Sequence, residues 1–94
     1  MEKTKEKQKV YYLVYAGKSI RQIKSGKFVA GFVEPHAAMD YAGYLIDNRV
    51  YPKYLFIYIT KQDTLKPVFH KENLEVIIAA SGEILMMDGK MYDY

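Results

Sequence analysis

The alternation of apolar and polar residues predicts β-strands throughout the first third of the chain. Residues 10–15 are rich in β-branched and aromatic side chains, which favour strands. Residues 19–24 alternate weakly and residues 27–33 alternate again, and the pairs Gly17-Lys18 and Ser25-Gly26 supply turns between these runs. Three residues of the last run fall on one predicted face: Phe28, Ala30 and Phe32. The pattern therefore predicts a three-stranded antiparallel meander.

The hydrophobic period changes after residue 33 and predicts one amphipathic helix over residues 35–48. Pro35 suits the first helical position, because its missing N–H has no intrahelical partner there. Ala38, Ala42 and Leu45 recur at helical spacing and predict the buried face. The small alanines would allow the helix to lie close to a sheet.

The second half of the chain predicts four further strands. Residues 54–60 form the strongest strand pattern, with Leu55, Ile57 and Ile59 on a core face and Tyr54, Phe56 and Tyr58 on the other. Residues 71–81 fit either a helix or a strand, and their β-branched run favours a strand. Ser81-Gly82 and Asp88-Gly89 are typical of hairpin turns.

The element order β-β-β-α-β-β-β-β predicts an α+β fold, in which a small antiparallel sheet (a meander) carries one amphipathic helix packed on one face. Residues 1–8 are a run of charged and polar side chains, which we expect to form a flexible tail. We expect residues 9–94 to form a single α+β domain.

Composition excludes several classes of function. The 94 residues include no cysteine, which excludes disulfides, thiolate metal sites and cysteine nucleophiles. No apolar run approaches the ~20 residues that span a bilayer. We expect a cytoplasmic protein that has no membrane partner.

The sequence also lacks the patterns of catalytic and cofactor sites. The glycines match neither a phosphate-binding loop nor a dinucleotide fingerprint. His36 and Asp40 are four residues apart on the predicted helix, but His70 is the only other imidazole, so we expect no metal site. We predict a protein that is not an enzyme, with no catalytic residues and no cofactor.

The unusual feature is the abundance of tyrosine, with ten tyrosines and four phenylalanines. If the helix covers one face of the sheet, an aromatic stripe on the other face could anchor a protein partner. The predicted anchors are Tyr54, Phe56, Tyr58, Tyr11 and Tyr15. In the alternative interpretation, these rings pair across strands or lie under a second layer. The leading prediction is a small protein-binding module, an adaptor or inhibitor that could also form a homodimer.

The uneven charge supports a second hypothesis. Residues 1–33 hold eight Lys or Arg against two Glu, whereas the rest hold six against nine Asp or Glu. The chain could therefore bind nucleic acid weakly and without sequence preference, with bases stacked on the tyrosines. The predicted phosphate-binding residues are Lys9, Lys18, Arg21, Lys24 and Lys27. The small size and the composition are compatible with accessory proteins of phages, plasmids or viruses, which often block a host protein.

Overall fold

The computed structural model describes residues 9–19, 21, 23–50 and 52–91. They form six strands and one α-helix: β1 (Tyr11–Gly17), β2 (Lys27–Phe32), α1 (Pro35–Asp47), β3 (Phe56–Gln62), β4 (Leu74–Ala79), β5 (Ile84–Met87) and β6 (Lys90–Met91). Two short 3-10 helices span Ile23–Ser25 and Lys71–Asn73. The predicted α+β class is confirmed. The predicted flexible tail at residues 1–8 lies outside the described residues.

All six strands belong to one antiparallel sheet in the order β2-β1-β3-β4-β5-β6. Strand β1 lies between β2 and β3 and is antiparallel to both, so α1 connects two strands that run in the same direction. Strands β3 to β6 then form a meander. The predicted strand at residues 19–24 is wrong, because both edges of β1 are already paired with β2 and β3. The described part of that segment instead contains the 3-10 helix Ile23–Ser25.

Helix α1 confirms the predicted start and buried face. Pro35 occupies the first turn, and Ala38, Ala42 and Leu45 are buried. These side chains pack against a group of sheet residues on the same face: Val14, Ala16, Ile57, Ile59, Val76 and Ile78. At the other end, the Asn48 side chain donates to the Tyr44 carbonyl at 2.9 Å, as a C-cap. The face of the sheet against which α1 packs is called here the helix side.

The opposite face, called here the loop side, holds a second buried cluster formed by Leu13, Tyr15, Tyr58, Leu74 and Ile77. A bulge in β2 shifts its register against β1 between the partners Ala30 and Phe28. Phe28 therefore lies on the loop side, whereas Ala30 and Phe32 lie on the helix side, and the prediction that the three share a face is wrong. A period of two cannot continue through a bulge.

The C-terminal hairpins follow the prediction closely. Residues 74–79 are strand β4, which confirms the choice of strand over helix, and only Lys71–Asn73 form a helical turn. Asp88 and Gly89 have φ of 53° and 77° in the turn between β5 and β6. Positive φ at both central residues is the geometry of a type I′ hairpin turn, which Asp-Gly favours.

Candidate functional site

The loop side is built around a stacked pair of tyrosines. The rings of Tyr15 on β1 and Tyr58 on β3 lie directly opposite in register, with centroids 5.2 Å apart and an interplanar angle of 4°. Phe69 meets both rings edge-on, at 6.1 and 5.8 Å, and Phe28 meets Tyr15 in the same way at 5.8 Å. Such edge and offset contacts are the preferred geometries of aromatic pairs.

The segment before β2 closes over this pair. The Tyr58 hydroxyl donates a hydrogen bond to the Ile23 carbonyl. The hydroxyl end of the ring rests against Gly26, where a Cβ would lie 2.7 Å from Cζ, and a Cβ at Gly17 would lie 2.8 Å from Cε1. Only glycine at these positions lets the backbone approach the ring so closely.

A second segment covers the loop side over β1 and β2. The Gln62 side chain donates to the carbonyls of Thr64 and Lys66, both at 2.9 Å, and accepts from the Thr60 hydroxyl at 3.0 Å. These bonds hold the loop that follows β3, and its Leu65 side chain lies against Gly31. The loop therefore acts as a partial second layer.

Because these two segments cover the loop side, the predicted exposed aromatic stripe is wrong. Tyr58 is 1% exposed and Tyr15 is 3% exposed, so neither ring is free to anchor a partner. The alternative interpretation, in which the rings pair across strands under a second layer, describes Tyr15 and Tyr58 correctly. Half-buried Phe56 and Tyr11 border the same cluster, whereas Tyr54 packs on the helix side. The five predicted anchors therefore do not form one surface.

The environment of the stacked pair changes its proton affinity. The pKa of Tyr58 is raised to about 12, mainly by burial and to a smaller extent by the neighbouring Tyr15, while a hydrogen bond to the backbone at Gly26 lowers it. Burial also raises the pKa of Tyr15, whereas the nearby Thr60 hydroxyl donates its hydrogen bond to Gln62 and not to Tyr15. The Tyr15 hydroxyl oxygen is buried without a hydrogen-bond partner among the described residues.

Among the described residues the second layer does not reach the far strands, and a groove of about 820 Å³ lies there on the loop side. Its apolar lining comes from β4 to β6 and the segments beside them: Ile23, Phe69, Leu74, Ile77, Met86 and Met91. Of the described residues that line it, Arg21, Lys24 and Lys71 are basic and none is acidic. All three basic residues are exposed. We call this site the loop-side groove.

The predicted phosphate-binding residues are only partly brought together. Lys18, Arg21, Lys24 and Lys27 all lie in the connection between β1 and β2 or at its ends, whereas Lys9 precedes β1 and lies at the opposite end of that strand. Arg21 and Lys24 line the loop-side groove, and the Lys18 ammonium lies 5.6 Å from the centroid of the Tyr54 ring.

Sequence reasoning missed two features of the surface. Lys71 joins the groove only because the loop after β3 returns to the loop side before β4 begins. A second aromatic cluster lies where α1 crosses β2: Phe32 and Tyr41 are 5.4 Å apart, and Tyr41 and Tyr44 are 6.1 Å apart. Tyr44 is 55% exposed. The helical spacing of Tyr41 and Tyr44 was a signal for this cluster.

Several other kinds of site find no support in the described part of the chain. His36 and His70 are both exposed. No group of three His, Cys, Asp or Glu side chains there could hold a metal ion. The helix found there is also too short and too polar to span a membrane. Comparison with models of known protein families, with curated proteins and with solved structures found no match.

Proposed function

We propose that this chain is a small, non-enzymatic protein-binding module whose loop-side groove holds an acidic, amphipathic segment of a partner protein. One observation carries the proposal: the groove combines an apolar floor with three exposed cations and no acidic residue among the described residues that line it. Such a site favours a partner with apolar side chains to bury and carboxylates at matching positions.

The floor is suited to a partner whose surface need not match in every detail. Met86 is half-buried and Met91 is 60% exposed, and both line the groove. Methionine is unbranched and polarisable, so it repacks around different apolar groups. The cations then add orientation and a faster encounter more than raw affinity.

The nucleic-acid hypothesis has weaker support. Stacking of bases needs accessible aromatic faces, yet Tyr15 and Tyr58 are buried. Arginine and lysine at the groove would attract phosphate as well as carboxylate, so the test below includes an oligonucleotide.

The test is a fluorescence-anisotropy titration with three labelled peptides and one oligonucleotide. The first peptide alternates glutamate with leucine, the second replaces glutamate with lysine, and the third replaces leucine with glycine. We expect binding of the first peptide only, because it alone supplies both carboxylates and apolar side chains. Comparable or tighter binding of single-stranded DNA, collapsing with salt, would overturn the proposal in favour of nucleic acid.

Methyl-labelled methionine locates the bound peptide by NMR. Met86 and Met91 line the groove, whereas Met39 and Met87 pack on the helix side and serve as internal controls. We expect the first two methyl signals to shift and the other two to stay. Shifts confined to the helix-side methyl groups would show that the groove is not the binding site.

Charge reversal gives a matched pair of variants. Arg21→Glu and Lys24→Glu should each weaken the glutamate–leucine peptide several-fold and improve binding of its lysine counterpart. Lys61→Glu is the control: Lys61 is exposed on β3, where it pairs with Tyr12 of the helix side. Equal losses from the groove and control variants would reduce the effect to net charge and refute a defined site.

A further inference from the structure

Strand β2 forms an open edge of the sheet. It has six residues and pairs only with β1 among the described strands, whereas the opposite edge, β6, has two residues. The outer N–H and C=O groups of an edge strand are a template for pairing with another chain. With the two bulge residues counted as one position, the strand offers a ladder of about 17 Å.

Apolar side chains flank this edge on both faces of the sheet. On the loop side these are Phe28, which is 37% exposed, and Leu65, which is 51% exposed and lies against Gly31. On the helix side Phe32 begins the aromatic cluster that continues to exposed Tyr44. Val33, directly after the strand, is 66% exposed. Apolar area on both sides of an open edge is typical of an interaction surface.

The charged residues at the two ends of β2 favour an antiparallel orientation for a second copy of the chain that pairs with this edge. Lys27 is the first residue of β2, and Glu34 follows the strand with an extended backbone at φ −116° and ψ 130°. Both side chains are exposed. An antiparallel second copy places each Lys27 opposite the other copy's Glu34, whereas a parallel copy would place like charges together.

The side-chain pattern is consistent with that pairing. Val29 packs on the helix side, as does Ala30, so the two bulge residues count as one position. When Lys27 of one copy lies opposite Glu34 of the other, Gly31 lies on the two-fold axis between them. Phe28 then lies opposite Val33, and Phe32 lies opposite the bulge. Directly opposed antiparallel residues share a face, and Phe32 and the two bulge residues all lie on the helix side. The side-chain-free Gly31 suits the centre of such a contact.

We propose that two copies of this chain pair through antiparallel β2 strands and form one continuous sheet across a two-fold axis. A second copy is the occupant that the opposite charges at Lys27 and Glu34 favour, because the same edge supplies both halves of each ion pair. None of the residues placed in the dimer contact lines the loop-side groove, whose floor is formed by β4 to β6 beyond β1 and β3. The proposal is therefore independent of the groove and of the proposed function.

Sedimentation equilibrium over a concentration series tests this proposal. The unmodified chain should reach twice the 11.0 kDa of one copy. Lys27→Glu alone and Glu34→Lys alone should each weaken dimerisation about tenfold or more, since each creates two like-charge pairs. The double variant K27E/E34K should restore it, and Lys61→Glu should leave it unchanged. A monomer at every concentration, or single variants that the double variant does not rescue, would overturn the proposal.

Disulfide cross-linking checks the register separately. The chain has no cysteine, so a single introduced thiol can only pair between copies. Gly31→Cys on the axis should oxidise to a covalent dimer, because opposed antiparallel Cα atoms lie about 4.5–5.5 Å apart, within the range of a disulfide. Its new Cβ would meet only the flexible end of Leu65 closely. Lys90→Cys on the other edge is the control, and equal yields from the two variants would refute the register.

Discussion

Gly26→Ala should destabilise the fold strongly although Gly26 lies in a loop. An added methyl would overlap the Tyr58 hydroxyl and lie 2.7 Å from Cζ of that ring. Tyr58 cannot yield easily, since it is 1% exposed and stacked on Tyr15. Either the ring shifts and loses its hydrogen bond to the Ile23 carbonyl, or the segment lifts from the sheet.

The expected cost can be worked from these contacts. Overpacking of a buried site costs about 1–3 kcal/mol, and loss of the hydroxyl bond adds about 1 kcal/mol. The lower entropy of the unfolded alanine chain returns about 0.4–1 kcal/mol. The net loss is about 1–3.5 kcal/mol, and a loss of about 2 kcal/mol, near the middle of that range, lowers Tm by roughly 8–16 °C in a domain of this size.

The assay is urea unfolding followed by circular dichroism, with Gly43→Ala as the matched control. Nothing lies within 4 Å of a Cβ at Gly43 in α1, so that variant should gain about 0.5–1 kcal/mol from helix propensity. In a Tyr58→Phe background Gly26→Ala should cost about 1 kcal/mol less, because the overlapping oxygen is gone. If Gly26→Ala is as harmless as Gly43→Ala, the segment does not close over Tyr58 in solution.

Four further outcomes are expected in the same unfolding assay. Tyr58→Phe should cost about 1 kcal/mol by removing a satisfied hydroxyl, whereas Tyr15→Phe should be neutral or stabilising because its buried hydroxyl has no partner among the described residues. The pKa of Tyr58 is raised from 10.0 to about 12 in the folded chain, so its contribution to stability is complete below pH 10 and is lost between about pH 10 and 12. The loss of stability with pH should be shallower in Tyr58→Phe. An unchanged slope would show that Tyr58 does not cause the loss. Gly82→Ala should cost about 1–2 kcal/mol, because Gly82 has φ of +95° in the turn before β5; no loss relative to Gly43→Ala would show that the turn relaxes.

Local signals were sufficient to predict most of the secondary structure. Pro35, the alanine face of α1 and the Asp88-Gly89 turn each act within a few residues, so the sequence contains the whole cause. The strand predicted at residues 54–60 begins two residues later, at Phe56. Tyr54 and Leu55 fit the strand pattern of the sequence, but they precede β3 in the structure, where Leu55 is 54% exposed.

The loop side was harder to predict because its cover depends on contacts distant in sequence. The hydroxyl of Tyr58 reaches the carbonyl of Ile23, 35 residues earlier. The hydrophobic pattern of residues 19–24 gives no indication of that contact, and the weak alternation of these residues favoured a strand. The alternation of residues 54–60 therefore placed Tyr58 on the face opposite Ile57 and Ile59, but it could not show that two loops bury the ring.

The contact between Tyr58 and Ile23 also links the core to the loop-side groove. Ile23 and its neighbours Arg21 and Lys24 line the groove, so the hydrogen bond that fixes the Ile23 carbonyl also fixes two of the three cations found among the described lining residues. Tyr58→Phe should therefore weaken binding of the glutamate–leucine peptide several-fold at a temperature where the variant is fully folded, because ordering the segment then opposes binding.

Tyr15→Phe is the control for this last prediction. It alters the stacked partner ring but leaves the bond to Ile23 in place. Peptide affinity is measured for both variants by anisotropy, with circular dichroism to verify that each is folded. If Tyr58→Phe binds as tightly as the unmodified chain while Arg21→Glu does not, the cations act without being held by the core. Equal losses in both phenylalanine variants would instead show that the stacked rings, and not the hydroxyl bond, set the shape of the groove.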